Sequence, residues 1–496
     1  MSSYEQSRII LLRTFFFLLG AILTIVSGIV IVRKLTVDEY AIYQIVNKRL
    51  ALMAMGVIQI IDLWIFRDVA RLFKGSLLAS LKIGLLVGTT LSVVSGIYIY
   101  DISRDIIVSL MSATAILTYT MWLISLNILD ATRPVMVSIQ RLLTRLTYVS
   151  LVILLVYLLA KGLIGSLTAL ITGYAVGVVL TYLWTKKRIE FKLEEVTSVS
   201  IRELLNLERI KAGIYRGLMM IFGSLDAVIV IKFLGSLVVS AFFVLRLIMS
   251  ILSESVNISL RYLQYAGLKG NRAKNLLFLL RMELAIVAGP LVFIAYYNDH
   301  TIYVLNPSYI WISPLIVLVS VESVVRLLTN GVMNILLGEI KSRDVEEAYY
   351  IQRYFRIRFW LTIMYIIYVV VLAYAYTKGL LLDTDYSFIE LWILGSLVTW
   401  IGHLVSYMTV EEFRKRLPLR LLSSNVLGYL LLYVVAAIVI VQFIGPGSAP
   451  SPYFWEEVSI LLKPAIIYYT IYLAIIVVLD QEIRKTISLV IKEKMR

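Results

Sequence analysis

About fourteen times along this chain, a run of roughly twenty apolar residues gives way to a short connection in which Lys and Arg collect. This recurrence limits the fold more than any motif does. A helix of that length rises ~30 Å, the thickness of a bilayer's hydrocarbon layer. In lipid every backbone polar group needs a partner within the protein, which a helix supplies along its own length. The expected fold class is therefore an all-α polytopic membrane protein of about 14 transmembrane helices. Composition agrees. The chain has 496 residues, 60% of them hydrophobic and 16% charged, with a mean hydropathy of +0.88, whereas soluble proteins carry ~25% charge. It has no cysteine, which excludes disulfides, thiolate chemistry and cysteine metal sites. The two histidines, His300 and His403, form no HExxH pair, and no metal site is expected.

Hydropathy places the spans at about 9–32, 41–66, 77–100, 106–129, 146–159, 164–184, 213–231, 237–262, 276–297, 310–337, 359–377, 387–410, 421–444 and 462–479. Their connections fall alternately into two groups. One group, with both termini, holds about 32 of the 47 Lys and Arg; the other holds about 6, and about 9 lie within spans. By the positive-inside rule the first group is cytoplasmic, so both termini are, and an even number of spans is required. The net charge of +15 is then mainly an orientation signal. The expected location is the cell (plasma or inner) membrane.

Several spans carry polar groups that lipid would not tolerate. The second holds Asn47, Lys48 and Arg49 near one end and Asp62 near the other. At 100° per residue Lys48, Gln59 and Asp62 share a stripe about 60° wide. The eighth span places Arg246, Ser250, Ser253 and Asn257 on one face, with Glu254 at its edge. The first holds Arg13. A cation at bilayer depth costs ~2.5–3.5 kcal/mol on insertion scales, so these bases should face protein or a water-filled cavity. Arg13, Lys48, Arg49 and Arg246 are the candidate substrate-binding bases. Asp62, Asp226 and Glu254 are candidates for ion coupling or charge compensation. Glu322 and Arg326, four residues apart on the tenth span, suit a structural ion pair.

A short internal repeat lays Val30–Thr36 over Ile229–Gly235 at a shift of 199 residues, carrying Asn47 onto Arg246. The longest connection, about 185–216, contains Ser200-Ile201-Arg202-Glu203, with capping-box spacing. It reads as a hinge. The expected domains are an N-terminal six-helix lobe over 1–195, a cytoplasmic amphipathic linker helix over 196–212, a second six-helix lobe over 213–410, two additional spans over 411–479 and a basic tail over 480–496.

Arg33-Lys34-Leu35-Thr36-Val37-Asp38-Glu39-Tyr40-Ala41-Ile42-Tyr43, followed by a long span ending in Arg67-Asp68-Val69-Ala70, resembles the polysaccharide-biosynthesis flippase family. These are the lipid-linked oligosaccharide exporters of the multidrug/oligosaccharidyl-lipid/polysaccharide exporter superfamily. The family motif has the form R-x-L-[ST]-x-x-[ED]-[YF]-G-x-Y, and Ala41 stands where the family usually has Gly. The close match covers about 45 residues. The resemblance implies two pseudo-symmetric six-helix lobes plus two C-terminal helices. It also implies a central cationic cavity lined chiefly by the first, second, seventh and eighth spans, and alternating access.

The implied cargo is a polyprenyl-(di)phosphate-linked oligosaccharide, whose anionic head Arg and Lys would hold by charge-assisted hydrogen bonds. The expected partners are this lipid-linked sugar and membrane lipid, not nucleic acid, with the chain functional as a monomer. No cofactor is expected beyond a coupling ion, Na+ or H+. Two other classes compete. A cation-coupled multidrug or small-molecule exporter of the same superfamily predicts an acid-rich cavity. A membrane glycosyltransferase needs a metal or catalytic acid, for which Asp383-Thr384-Asp385 is the one hint. No enzyme activity is expected.

Overall fold

The computed structural model describes residues 3–70, 76–185, 207–268, 273–339, 345–380, 384–445, 450–451 and 453–485; side chains at 3–15, 61–70 and 253–259, among others, lie outside the described set. Nearly all of the described chain is helical, and no described segment is a strand. Helix α1 is Ser3–Lys34. α2, Val37–Gln44, continues through a π-helical turn at Ile45–Leu50 into α3, Ala51–Ala70. α4 is Ser76–Ser103, α5 Ile106–Thr132, α6 Pro134–Leu151 with a π-helical extension to Leu158, and α7 Gly162–Thr185. α8, Leu207–Gly223, and α9, Leu225–Leu234, form a span broken at Ser224. α10 is Ser236–Leu268, α11 Ala273–Tyr296 and α12 Asn298–Leu305. α13 is Ile316–Glu339, α14 Val345–Thr377 and α15 Asp385–Val405. After two short helices, α16 Glu411–Arg416 and α17 Leu419–Leu422, come α18, Gly428–Ile444, and α19, Phe454–Leu479.

Among the described residues, 12 helical stretches are long and apolar enough to cross a membrane. α1, with 32 residues, and α10, with 33, have the length to cross as well. Twelve and two make the fourteen that hydropathy predicts. Large apolar side chains such as Leu86, Ile97, Phe443 and Val478 point outward, as lipid-facing rows require.

The fifth span is longer than its hydropathy suggests, Met136–Leu158 rather than about 146–159. Arg141 and Arg145 interrupt the apolar run, yet both belong to the helix. Arg145 lies on α1 so closely that a Cβ at Gly20 would sit 2.7 Å from its Nη1. The Arg141 guanidinium lies 5.7 Å from the Trp122 ring. Both therefore pack on protein. The proposed capping box at Ser200–Glu203 lies outside the described residues, as do 196–206 of the linker and 486–496 of the tail. Residues 207–212 continue directly into α8.

The chain divides into two compact units, Met1–Phe243 with Asp344–Gly395, and Val244–Arg343 with Ser396–Arg496. In the first unit a capping box starts α2. The Thr36 N–H donates to Glu39 Oε2 (3.0 Å), and the Glu39 N–H donates to Thr36 Oγ1 (3.3 Å). The other Glu39 oxygen accepts the Leu163 N–H at 3.2 Å, tying α2 to the start of α7. Gly162 has φ +51, and a Cβ there would lie 2.5 Å from Glu39 Oε1, so both conformation and space call for glycine. α3 and α8 approach backbone to backbone: a Cβ on Gly213 would be 2.2 Å from the Ile60 carbonyl oxygen, and one on Gly217 would be 2.6 Å from that of Gly56. Gly213 and Gly217 form a G-x-x-x-G pair, the small-residue surface that lets membrane helices pack closely.

In the second unit, Pro290 sits inside α11 and cannot donate to the Ile286 carbonyl four residues back. The Tyr469 hydroxyl of α19 donates to that carbonyl at 3.1 Å. Tyr472 and Tyr468 donate to the Ala285 and Gly289 carbonyls at 2.7 and 3.0 Å. Buried polar contacts clamp α19 at both ends. Arg281 Nε lies 2.9 Å from Asp480, which also accepts from the Tyr433 hydroxyl at 2.5 Å. His300 Nδ1 lies 2.5 Å from Glu457 at the other end. Asp480, the first residue of the expected tail, is thus fully buried.

Candidate functional site

The π-helical turn at Ile45–Leu50 holds Asn47, Lys48 and Arg49. Such turns carry one more residue per hydrogen-bonded ring than an α-helix and mark functional positions often. The turn also shifts the phase of everything after it, so the stripe reckoned at 100° per residue from Lys48 to Gln59 and Asp62 does not carry over unchanged.

Arg49 is turned into the first unit. Its guanidinium donates to Asp226 Oδ2 at 2.9 Å, with side-chain exposures of 11% and 2%. Asp226 lies in the first turn of α9, just past the break at Ser224, where the helix dipole favours an anion. The same carboxylate oxygen accepts from the Tyr365 hydroxyl at 2.9 Å. Trp392 Nε1 donates to that hydroxyl at 3.0 Å. Trp392 stacks on Phe242 at 3.6 Å between centroids, and the Arg49 guanidinium lies 5.8 Å from the Phe242 ring and 5.3 Å from that of Phe243. A closed circuit of charge, phenol and π-face thus joins the π turn to α9, α14, α15 and α10. The sequence offers Asp226 for ion coupling or charge compensation and gives no sign of Tyr365 or Trp392 as its neighbours.

The second unit holds the other charged centre. Arg246 pairs with Glu322 at 2.5 Å, and the Ser396 hydroxyl donates to the other Glu322 oxygen at 2.7 Å. The i, i+4 spacing suggested Arg326 for that carboxylate. The Arg326 guanidinium instead lies 5.4 Å from the Trp400 ring. Side chains a turn apart on one helix meet only if their rotamers lean together, and Glu322 leans toward α10. Lys48 is half-buried. The side chains of Arg13, Asp62 and Glu254 lie outside the described residues.

Two of the four candidate substrate-binding bases, Arg49 and Arg246, thus carry carboxylates. Within the described first-half spans the bases still outnumber the acids. Lys48, Arg49, Lys82, Arg141 and Arg145 lie within them, while the acids of those spans, Asp38, Glu39 and Asp101, sit at helix ends.

Those helix ends form a third cluster. α2 begins at Val37 and α10 at Ser236, which differ by the 199 residues of the repeat. The two starts touch: the Ser236 hydroxyl donates to Asp38, and the Ser240 hydroxyl donates to the Val37 carbonyl at 2.8 Å. Nearby, Lys232 Nζ lies 2.6 Å from Asp101 and the Tyr98 hydroxyl donates to the Val228 carbonyl at 3.0 Å. In the DxD-like segment, Asp383 is outside the described residues, and Asp385 accepts from the Tyr376 hydroxyl at 2.6 Å at the start of α15. Among the described residues no group of three or more His, Asp or Glu gathers there.

No protein-family model matches the sequence, and no curated protein does. Solved structures do match the fold. An inward-facing multidrug resistance MATE family transporter of the MOP superfamily superposes with a TM-score of 0.57 at 14% identity, over 82% of this chain and 99% of that one. A MOP superfamily transporter from Pyrococcus furiosus, described as having a binding pocket of reverse polarity, gives 0.56 at 14% identity over 82% and 96%. An outward-facing multidrug resistance MATE family transporter gives 0.53 at 13% over 82% and 96%. The chain therefore has the fold of the MATE transporters of the MOP superfamily.

Proposed function

We propose that this protein is an alternating-access transporter of the MOP superfamily whose cargo is a lipid-linked oligosaccharide with an anionic (di)phosphate head. The observation that carries the reading is the excess of bases over acids within the described first-half spans. Lys48, Arg141 and Arg145 lie within those spans, as does Arg49, which pairs with Asp226. A phosphate head is held by such groups and a cationic drug is repelled. In this reading the lobes over 1–195 and 213–410 rock about the linker, and the lipid tail stays in the bilayer. Both termini are cytoplasmic and one chain suffices. Asp226, beside a helix break and bonded to Arg49 and Tyr365, is the coupling position. Na+ or H+ would compete with Arg49 for its carboxylate.

A second reading, export of small molecules or drugs, is favoured by the ion pairing of Arg49 and Arg246 and by the multidrug transporters that share the fold. Proteoliposome transport separates them. Lys48→Gln with Arg141→Gln should reduce translocation of a fluorescent polyprenyl-diphosphate oligosaccharide by about tenfold or more while insertion is kept. Undiminished translocation would sink the anionic-site assignment.

A further inference from the structure

Inside the first unit, Tyr119 and Trp122 of α5 meet Tyr174 of α7. The ring centroids lie 5.8 Å apart for Tyr119–Trp122, 5.2 Å for Tyr119–Tyr174 and 5.1 Å for Trp122–Tyr174. All three residues fall near the middle of their helices and all are half-buried. That depth is unusual, because Trp and Tyr gather at the membrane–water interfaces, where their polar ends stay wet. A hydroxyl and amide set lies against the rings. The Asn47 amide donates to the Tyr43 hydroxyl at 3.2 Å, the Tyr174 hydroxyl donates to Asn47 Oδ1 at 3.5 Å, and the Tyr43 and Tyr148 hydroxyls are in contact. The Arg141 guanidinium stands 5.7 Å from the Trp122 ring.

A second observation is independent of the rings. Trp122 Nε1, Thr144 Oγ1 and Gln140 Oε1 are buried with no hydrogen-bond partner among the described residues. Two of them close on one point: a Cβ on Gly177 would lie 2.6 Å from Trp122 Nε1 and 2.7 Å from Thr144 Oγ1. Gln140 reaches the same turn, donating to the Gly177 carbonyl at 2.8 Å. Buried polar atoms are nearly always partnered, so an indole donor and a hydroxyl left over side by side, with the Gln140 amide oxygen on an adjoining turn, are the groups a polyhydroxylated ligand would pair with. A plug of packed aromatics accounts for the rings but not for these atoms.

We propose that the interior of α2, α5, α6 and α7 is a glycan subsite that seats a sugar ring of the cargo, an inference that rests on the lipid-linked oligosaccharide reading above. A pyranose suits it chemically. Its C–H face carries slight positive charge and lies on the negative face of an aromatic ring. Its hydroxyls both donate and accept, which matches Asn47, the tyrosine hydroxyls and the unpartnered atoms around Gly177. Arg141 adds a fixed charge for an acidic sugar or for the phosphate that links it.

The test compares two short-chain probes on the protein in nanodiscs: geranyl diphosphate, and geranyl diphosphate carrying a disaccharide. The wild type should bind the glycosylated probe about tenfold more tightly. Trp122→Ala and Tyr174→Ala should each erase most of that preference and leave affinity for bare geranyl diphosphate unchanged, which also reports that the variants are folded. If Trp122→Ala loses both probes, Trp122→Phe decides. It keeps a ring and removes the indole N–H, and should retain diphosphate binding with a reduced sugar preference. Equal wild-type affinity for the two probes, or a preference that survives these substitutions, overturns the subsite and leaves the cargo reading standing. Binding of neither probe to the wild type overturns both.

Discussion

The Arg49–Asp226 pair is where burial makes a single side chain matter most. Removing one member of a buried pair leaves the other charged and unsolvated, which costs about 3–5 kcal/mol, whereas removing both costs far less. Asp226→Asn should therefore lower the melting temperature markedly, and Arg49→Gln with Asp226→Asn should recover most of the loss. A thermal double-mutant cycle in detergent reads this, and additive losses would show that the pair is not coupled. A second cycle concerns Tyr469 and Pro290. Tyr469→Phe strands the Ile286 carbonyl and should cost about 1 kcal/mol. In the Pro290→Ala background residue 290 regains its N–H, which can take that carbonyl, so Tyr469→Phe should cost little. At this scale the sequence was only partly readable. Buried charges on the second, seventh, eighth and tenth spans stand out against apolar runs. Their partners do not, because Arg49–Asp226 and Arg246–Glu322 join positions 177 and 76 residues apart, and helical spacing reports only neighbours on one helix. Mid-span Trp122, Tyr119 and Tyr174 did carry a signal, being aromatic residues away from the interfacial belt.

Among the elements, α3 and α8 test the close-packing account. Gly217→Leu would drive its side chain into Ile60 and the Gly56 carbonyl, an overpacking worth about 1–3 kcal/mol, while Gly235→Ala, with φ +85 and open space, would suffer only conformational strain. Expression and melting of the two variants measure the difference. A Gly217→Leu protein as stable as wild type would mean that the helices do not meet there. The element count was legible because apolar length is a property of each helix alone. The start of the fifth span was not, because Arg141 and Arg145 look like loop residues until α1 and Trp122 are seen to cover them. The capping box Thr36-Val37-Asp38-Glu39 was present as a T-x-x-E pattern within the motif, but motif reading passed over its role as a helix start.

For the whole molecule, the repeat has a mechanical consequence. The starts of α2 and α10 touch through Asp38 and Ser236, and the proposed alternating access would open such a contact in each cycle. The chain has no native cysteine, so Asp38→Cys with Ser236→Cys gives an unambiguous cross-link. Oxidation should arrest transport and reduction should restore it; transport that continues through a complete cross-link would mean that these ends need not part. The direct test of the central claim is cargo choice. Proteoliposomes of the wild type would be loaded in parallel with a fluorescent polyprenyl-diphosphate oligosaccharide and with a cationic dye, and protein-dependent translocation of each would be followed under Na+ and H+ gradients. The account predicts movement of the lipid-linked oligosaccharide and none of the dye. Movement of the dye alone would contradict it and make this fold, in this chain, a small-molecule exporter.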